Sequence, residues 1–406
     1  MDNFNRPPAE SLTLSQILDL PIHEKEWRGL LHTPQEIFQQ PDTWRQTVQT
    51  VENSRDKLRS FLRKSGLSDE DNGHLSVSLI GAGTSDYIGR ALAGLIKKEW
   101  RCHAEATPST DLLTEIDAVM AAAPAGTRHL WISFSRSGDS YEGVAVIERA
   151  LKDYPEISHL IVTCNENGRM ARELCPGATN AFCLTLDKRV NDLGLAMTSS
   201  FTNMVITGQA IAHIGDLDNY KAIVEQLADV GSEKLSDVAR LSSELASLDL
   251  TRICFLGTGI LTSVGAESAL KVMELTAGHF SVMSESFLGL RHGPLSWLND
   301  LTLVVAFLSG DKAKARLEMG LIEELKAKNT AGPILLISPN EVVGSPADFQ
   351  LVWNLAEPVQ DSYRPPLDVL FAQCFALFSS MRCGLKPDSP SADGKIQRVV
   401  SQIGTV

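Results

Sequence analysis

The sequence predicts an α/β protein built from two tandem, doubly wound parallel-sheet domains behind a helical N-terminal arm. Two observations carry this. Strand-like apolar or β-branched runs alternate with helical patterns, which predicts a parallel sheet with helices on both faces. The alternation also repeats. Leu79-Ile80-Gly81-Ala82-Gly83 matches Phe255-Leu256-Gly257-Thr258-Gly259, with Gly81 and Gly257 offset by 176. Ser137-Gly138-Asp139 matches Ser309-Gly310-Asp311 at an offset of 172, and residues 161–165 match 335–340 at about 175.

In chain order, residues 1–50 form the arm, interrupted by Pro7, Pro8, Pro21, Pro34 and Pro41. It reads as a docking segment rather than a third domain. The first domain spans 51–217, with a strand ending at Gly81, a strand over 129–134, a helix over 143–151 and a strand over 161–164. The second spans 218–406. A helical pattern over 221–247 leads to a strand ending at Gly257, a strand over 301–308 and a helix over 313–325.

Composition narrows the function. The 406 residues suit two domains of ordinary size. Hydrophobic content is 43%, enough for real cores, and the formal net charge of −13 argues against a nucleic-acid partner. Seven scattered cysteines with no C-x-x-C pair read as reduced, buried thiols of a cytoplasmic protein. The start lacks the apolar core of a signal peptide, and the run over 303–308 is strand-sized, so no membrane partner is expected.

Ligands of open α/β sheets bind at the carboxyl ends of strands, where loops meet helix N-termini. The first domain offers two such loops, Gly81-Ala82-Gly83-Thr84-Ser85 and 133–140, the latter with Ser135, Arg136, Ser137, Gly138 and Ser140. Hydroxyls, backbone N–H groups and a helix N-terminus make an anion site that needs no lysine. Asp86 stands where a dinucleotide fingerprint wants its third glycine, and no P-loop Gly-Lys-Ser/Thr occurs. One serine alone would only cap a helix. The second domain keeps the turn at Ser309-Gly310-Asp311 but not the serine cluster.

The second domain carries different chemistry. Glu267, Lys271 and Glu274 fall at i, i+4 and i+7 and share one helix face. Arg291-His292-Gly293-Pro294 puts an imidazole on a rigid turn. A carboxylate, an ammonium and an imidazole that converge can move protons on a sugar. Taken singly, Glu267 and Lys271 are an ordinary i, i+4 pair and His292 orders a turn. His279 reads as a helix-end residue, and Glu285 is a second candidate acid or base.

Together, Gly83-Thr84-Ser85, Ser135-x-Ser137-Gly138-x-Ser140, Glu267-x-x-x-Lys271-x-x-Glu274 and His292-Gly293-Pro294 resemble the sugar isomerase (SIS) domains, flavodoxin-like in fold, of glucosamine-6-phosphate synthase. The resemblance runs from about residue 50 to the end. Residues 196–202, 285–289 and the tail Pro387-Asp388-Ser389-Pro390 through Arg398-Val399-Val400 resemble the AgaS-type group, described as galactosamine-6-phosphate deaminase/isomerase or tagatose-6-phosphate ketose/aldose isomerase.

The resemblance implies that Ser85, Ser135, Ser137 and Ser140 bind a sugar 6-phosphate. Glu274 moves the proton between C1 and C2, and Lys271 polarises substrate oxygens. His292 helps open the ring from the neighbouring subunit of a homodimer or larger homo-oligomer. Gly83, Thr84, Arg136, Thr198, Ser199, Glu267 and Arg398 complete the substrate site. No metal or organic cofactor is implied. The departures matter as well. There is no room for a glutaminase half. The synthase's imine-forming lysine falls at or near Arg398, which cannot form an imine, with Lys395 close but offset, and its second helix lysine is Met273. These losses fit a reaction that releases ammonia. Simple aldose–ketose isomerisation uses the same residues. A non-catalytic sugar-phosphate sensor is the reading from another class, although no basic recognition helix opens the chain.

Overall fold

The computed structural model describes residues 12–356, 359–391 and 393–399, so Pro7, Pro8 and Val400 lie outside the described residues. Among the described residues, the arm and the start of the segment after it hold α1 (Leu14–Asp19), α2 (Ile22–Arg28), α3 (Thr33–Phe38), α4 (Gln40–Asn53) and α5 (Arg55–Lys64). Pro34 and Pro41 sit in the first turns of α3 and α4, where a missing N–H costs nothing. The arm is more than a surface attachment. Ile17, Leu30, Ile37 and Trp44 are buried in the main core, and Trp44 Nε1 donates to Thr202 Oγ1 at 2.9 Å.

The first α/β unit runs β1 (Leu75–Gly81), α6 (Thr84–Trp100), β2 (His103–Pro108), α7 (Ser109–Ala122), β3 (Arg128–Ser135), α8 (Tyr141–Asp153), β4 (Ser158–Thr163), β5 (Ala181–Thr185) and α9 (Ser199–Ala212). Helix α10 (Leu217–Ala246) leads into the second unit. That unit runs β6 (Arg252–Gly257), α11 (Leu261–Leu275), β7 (Ser281–Ser286), α12 (Phe287–Leu290), β8 (Thr302–Phe307), α13 (Lys312–Lys328), β9 (Ile334–Ser338), β10 (Phe349–Val352) and α14 (Pro365–Arg382).

Both sheets are parallel, with strand orders β2-β1-β3-β4-β5 and β7-β6-β8-β9-β10, the same order twice. The repeat extends to backbone detail. Gly83 and Gly259 take φ of +56° and +60° at equivalent turns. A Cβ on Gly81 would lie 2.3 Å from the Ser85 carbonyl carbon, and one on Gly257 would lie 2.2 Å from the Leu261 oxygen. Only glycine lets each strand turn so tightly into its helix. The units meet through α6 and α11, while α9 and α14 are buried nearly all round.

Cys102, Cys164, Cys254 and Cys374 are buried, whereas Cys175, Cys183 and Cys383 are only half-buried, a partial departure from the expectation of buried thiols. No helix among the described residues is long and apolar enough to cross a membrane.

His159 on β4 is fully buried, edge-on to Trp131 at 5.6 Å, and burial pushes its pKa down to about 4. The folded protein holds this ring neutral, while the unfolded chain takes up a proton below about pH 6.5. Stability is therefore lost as pH falls from about 6.5 toward 4, by about 3 kcal/mol in full. The stability difference between pH 7 and pH 5, measured by urea unfolding, is expected to shrink by about 2 kcal/mol in His159→Phe.

Candidate active site

Helix α6, which opens directly after the first loop, packs against helix α11 of the second unit. Thr84 and Ser85, both buried, open α6 directly after the Gly83 turn. On α11 the i, i+4, i+7 spacing stacks three ionisable groups. Lys271, with no exposed side-chain surface, places Nζ 2.6 Å from Glu274 Oε2 and 3.3 Å from Glu267 Oε1. The same Nζ donates to Thr84 Oγ1 at 3.0 Å, tying the acid–base helix of one unit to the first loop of the other.

Exposure grades along this stack. Glu267 is buried, whereas Glu274 keeps 31% of its side-chain surface exposed. Burial raises the Glu267 pKa to about 8; the Lys271 ammonium opposes that shift and the Glu274 charge reinforces it. For Lys271, burial pulls the pKa down, but Glu267 and Glu274 overturn it and raise it. The carboxyl displaced toward neutrality is thus the inner one, buried beside the equally buried Lys271.

The second loop follows β3. Ser135 Oγ accepts from Gly138 N–H and Ser137 Oγ from Asp139 N–H, both at 3.1 Å, while Gly138 takes φ of +67°. Ser140 precedes α8 as its N-cap residue without a side-chain capping bond. Asn165 Nδ2 braces the loop through the Ser137 carbonyl at 2.8 Å.

Arg136 turns away from this loop. Its Nη1 donates to the Gly194 and Leu195 carbonyls at 3.3 and 3.1 Å, and its Nη2 to the Arg398 carbonyl at 2.7 Å. Arg398 in turn donates through Nε to Asp192 O at 2.7 Å and through Nη2 to Asn191 Oδ1 at 2.6 Å. Burial and the Arg398 charge lower the Arg136 pKa, with Asp192 and Glu274 opposing, which puts this pair in the electrostatic reach of the α11 stack.

Thr198 and Ser199 are buried at the start of α9. Asp192 accepts from Thr198 N–H at 2.7 Å and from the Ser199 hydroxyl, capping that helix. Arg136, Arg398, Thr198 and Ser199 therefore frame the site by holding residues 191–198 and the tail.

Sequence reasoning missed the acids that complete this frame. Glu36, raised to about 8 by burial and by Asp192, accepts from Leu193 N–H at 2.5 Å. Asp388 accepts from Leu31 N–H at 2.7 Å and from Thr33 N–H at 2.7 Å, clasping arm to tail. Asp388 lies inside the tail motif Pro387-Asp388-Ser389-Pro390, and Asp192 precedes a Thr-Ser-Ser helix start, so both had a local signal. Glu36 had none.

The remaining candidates lie apart. His292 sits on an exposed turn, its N–H donating to Gly289 O at 2.9 Å, with no side-chain hydrogen bond or ion pair to the α11 stack. His279 Nδ1 lies 2.6 Å from the Thr276 carbonyl at the end of α11. Glu285 Oε1 accepts from Ser286 N–H at 2.7 Å at the end of β7. Lys395 is exposed and paired with Asp393 at 2.8 Å. Among the described residues no three His, Cys, Asp or Glu side chains group to hold a metal ion.

The comparisons with known proteins fit this geometry. The SIS domain pattern matches residues 248–377. The AgaS protein of Streptomyces coelicolor is 36% identical over 376 residues, covering 92% of this chain and 94% of its own. The D-galactosamine-6-phosphate deaminase AgaS of Escherichia coli is 34% identical over 91% of this chain and 94% of its own. The crystal structure of tagatose-6-phosphate ketose/aldose isomerase from Escherichia coli superimposes with a TM-score of 0.81 at 32% identity, covering 89% of this chain and 95% of that one. With relatives this similar along nearly its whole length, the chain belongs to the AgaS family of SIS-domain proteins.

Proposed function

We propose that this protein is a deaminating aldose–ketose isomerase that converts D-galactosamine 6-phosphate and water to D-tagatose 6-phosphate and ammonia. The observation that carries the reading is the Lys271 bridge, 2.6 Å to Glu274 and 3.0 Å to Thr84, which sets a half-exposed carboxylate beside the Gly83-Thr84-Ser85 loop. The relatives' activity and the ketose named for the solved structure fit one reaction, since the ketose is the product of the deamination.

Ser85, Ser137, Ser140 and the loop N–H groups hold the 6-phosphate, so the open-chain aldehyde reaches α11. The C1 carbonyl acidifies the C2 hydrogen. Glu274 removes it, leaving an enolamine, and returns a proton to C1, which becomes the hydroxymethyl carbon. Lys271 stabilises the negative charge that develops on oxygen. The resulting C2 imine adds water and releases ammonia, leaving the C2 ketone. The exposed His292 serves ring opening from a second copy of the chain, which makes the working unit a homo-oligomer of the cytoplasm.

The test compares purified protein on galactosamine 6-phosphate, glucosamine 6-phosphate and tagatose 6-phosphate. Ammonia from the galacto substrate in excess over the gluco one is the expected result. Interconversion of tagatose 6-phosphate with its aldose, without ammonia from either amino sugar, would replace the reading by simple isomerisation.

A further inference from the structure

The duplication that built the loop after β3 also built its counterpart after β8. Ser309 accepts from Asp311 N–H at 3.1 Å, as Ser137 does from Asp139 N–H at 3.1 Å. Against this counterpart lies a cavity of about 370 Å³ lined by Leu95, Lys98, Ile260, Gly310, Lys314 and Asp361, among others. At the repeat offset of 176, Ile260 answers to Thr84, Leu95 to Lys271 and Lys98 to Glu274. The cavity thus occupies, in the second unit, the place of the candidate active site in the first. Its acid–base face is gone, with a leucine and a lysine where the lysine and the glutamate stand.

The anion-binding donors of this cavity are already spent. Gly310 N–H donates to Asp361 Oδ1 at 2.8 Å, and the Ser309 hydroxyl donates to Asp361 Oδ2. One carboxylate spans a serine hydroxyl and a glycine N–H, as two phosphate oxygens would. In the first unit the glycine N–H is satisfied by Ser135 Oγ at 3.1 Å. The residue in Ser135's place is Phe307, which offers no acceptor, and Gly310 does not share the positive φ of Gly138. Fully buried Arg364 supplies the countercharge, with Nη1 3.2 Å from Asp361 Oδ1.

We propose that Asp361 is an internal anion occupying the phosphate position of the second unit. It closes a sugar-phosphate pocket left by the duplication, so that each chain presents one site for phosphate monoesters rather than two. The inference rests on the reading of residues 135–140 as the phosphate grip of the first unit. Asp361→Ala frees the Ser309 hydroxyl and the Gly310 N–H, and leaves Arg364 short of one carboxylate.

The experiment measures galactosamine 6-phosphate stoichiometry by calorimetry, and melting temperature against inorganic phosphate, for wild type, Asp361→Ala and Asp361→Ala/Ser309→Ala. Wild type is expected to bind one sugar phosphate per chain and Asp361→Ala two. In phosphate-free buffer Asp361→Ala melts below wild type, and phosphate restores it more steeply than it raises wild type; the added Ser309→Ala weakens that response. Should Asp361→Ala fail to fold, Asp361→Ser, which shortens the side chain out of the phosphate position and keeps a hydroxyl, is expected to show the same steeper phosphate response. One site per chain in every variant, with phosphate responses parallel to wild type, would overturn the proposal and leave the first site intact. Wild type that binds no sugar phosphate would instead sink the functional reading beneath it, and be seen before any variant is compared.

Discussion

Glu274→Gln is expected to lower turnover of galactosamine 6-phosphate by about 10²- to 10⁴-fold, the range a positioned general acid–base supplies. The substitution keeps the shape of the side chain and an oxygen within reach of Lys271 Nζ, now 2.6 Å away, but removes the proton acceptor. The phosphate loop lies on the other unit and is untouched, so KM is expected to move by far less than kcat. A half-exposed position also means the fold survives, and urea unfolding should place the variant within about 1 kcal/mol of wild type. Steady-state kinetics of the pure variant decides the point: near-wild-type kcat would remove Glu274 from the proton transfer.

The second large effect is on stability. Lys271→Met replaces a fully buried ammonium with a thioether of similar length, leaving Glu267 buried beside Glu274 with no cation between them. Removing one partner of a buried pair costs about 3–5 kcal/mol, because the other charge stays behind uncompensated. Glu267 has an escape, since burial already raises its pKa to about 8 and it can take up a proton instead. The sign follows from that shift. A carboxyl whose folded pKa lies above its unfolded value of about 4.3 holds its proton longer when folded, so its contribution to stability is lost as pH rises through about 8. Without Lys271 the folded pKa climbs further, so the deficit of Lys271→Met is expected to be larger at pH 9 than at pH 7. Glu267→Gln in the same chain should recover much of it and flatten the pH dependence. Unfolding of the single and double variants at both pH values checks this. Equal deficits at the two pH values would mean that Glu267 is not the group left exposed to the loss.

The duplication was legible because each copy spends the same glycines and serines on the same turns, and those residues sit in the sequence at nearly one offset. The α11 stack was legible because helical spacing alone puts Glu267, Lys271 and Glu274 on one face. What lay beyond reach was contact across the units. Lys271 meets Thr84 across 187 positions, and no local pattern encodes that meeting. The roles of Arg136 and Arg398 were obscured for the same reason. Guanidinium groups beside a serine loop suggest an anion, yet their donors close on the backbone carbonyls of Asp192, Gly194, Leu195 and Arg398 and on Asn191 Oδ1, which only the folded chain brings near. The tail motif was noticed, but its use, Asp388 capping α3 of the arm, depends on a contact across more than 350 residues.

Ammonia and ketose should be measured together, in one time course, from galactosamine 6-phosphate and pure protein. The deaminase reading predicts that the two appear in equal amounts from the first turnovers, since the same enolamine yields both. Ketose without ammonia, ammonia without ketose, or neither product in protein that binds the sugar phosphate would contradict it.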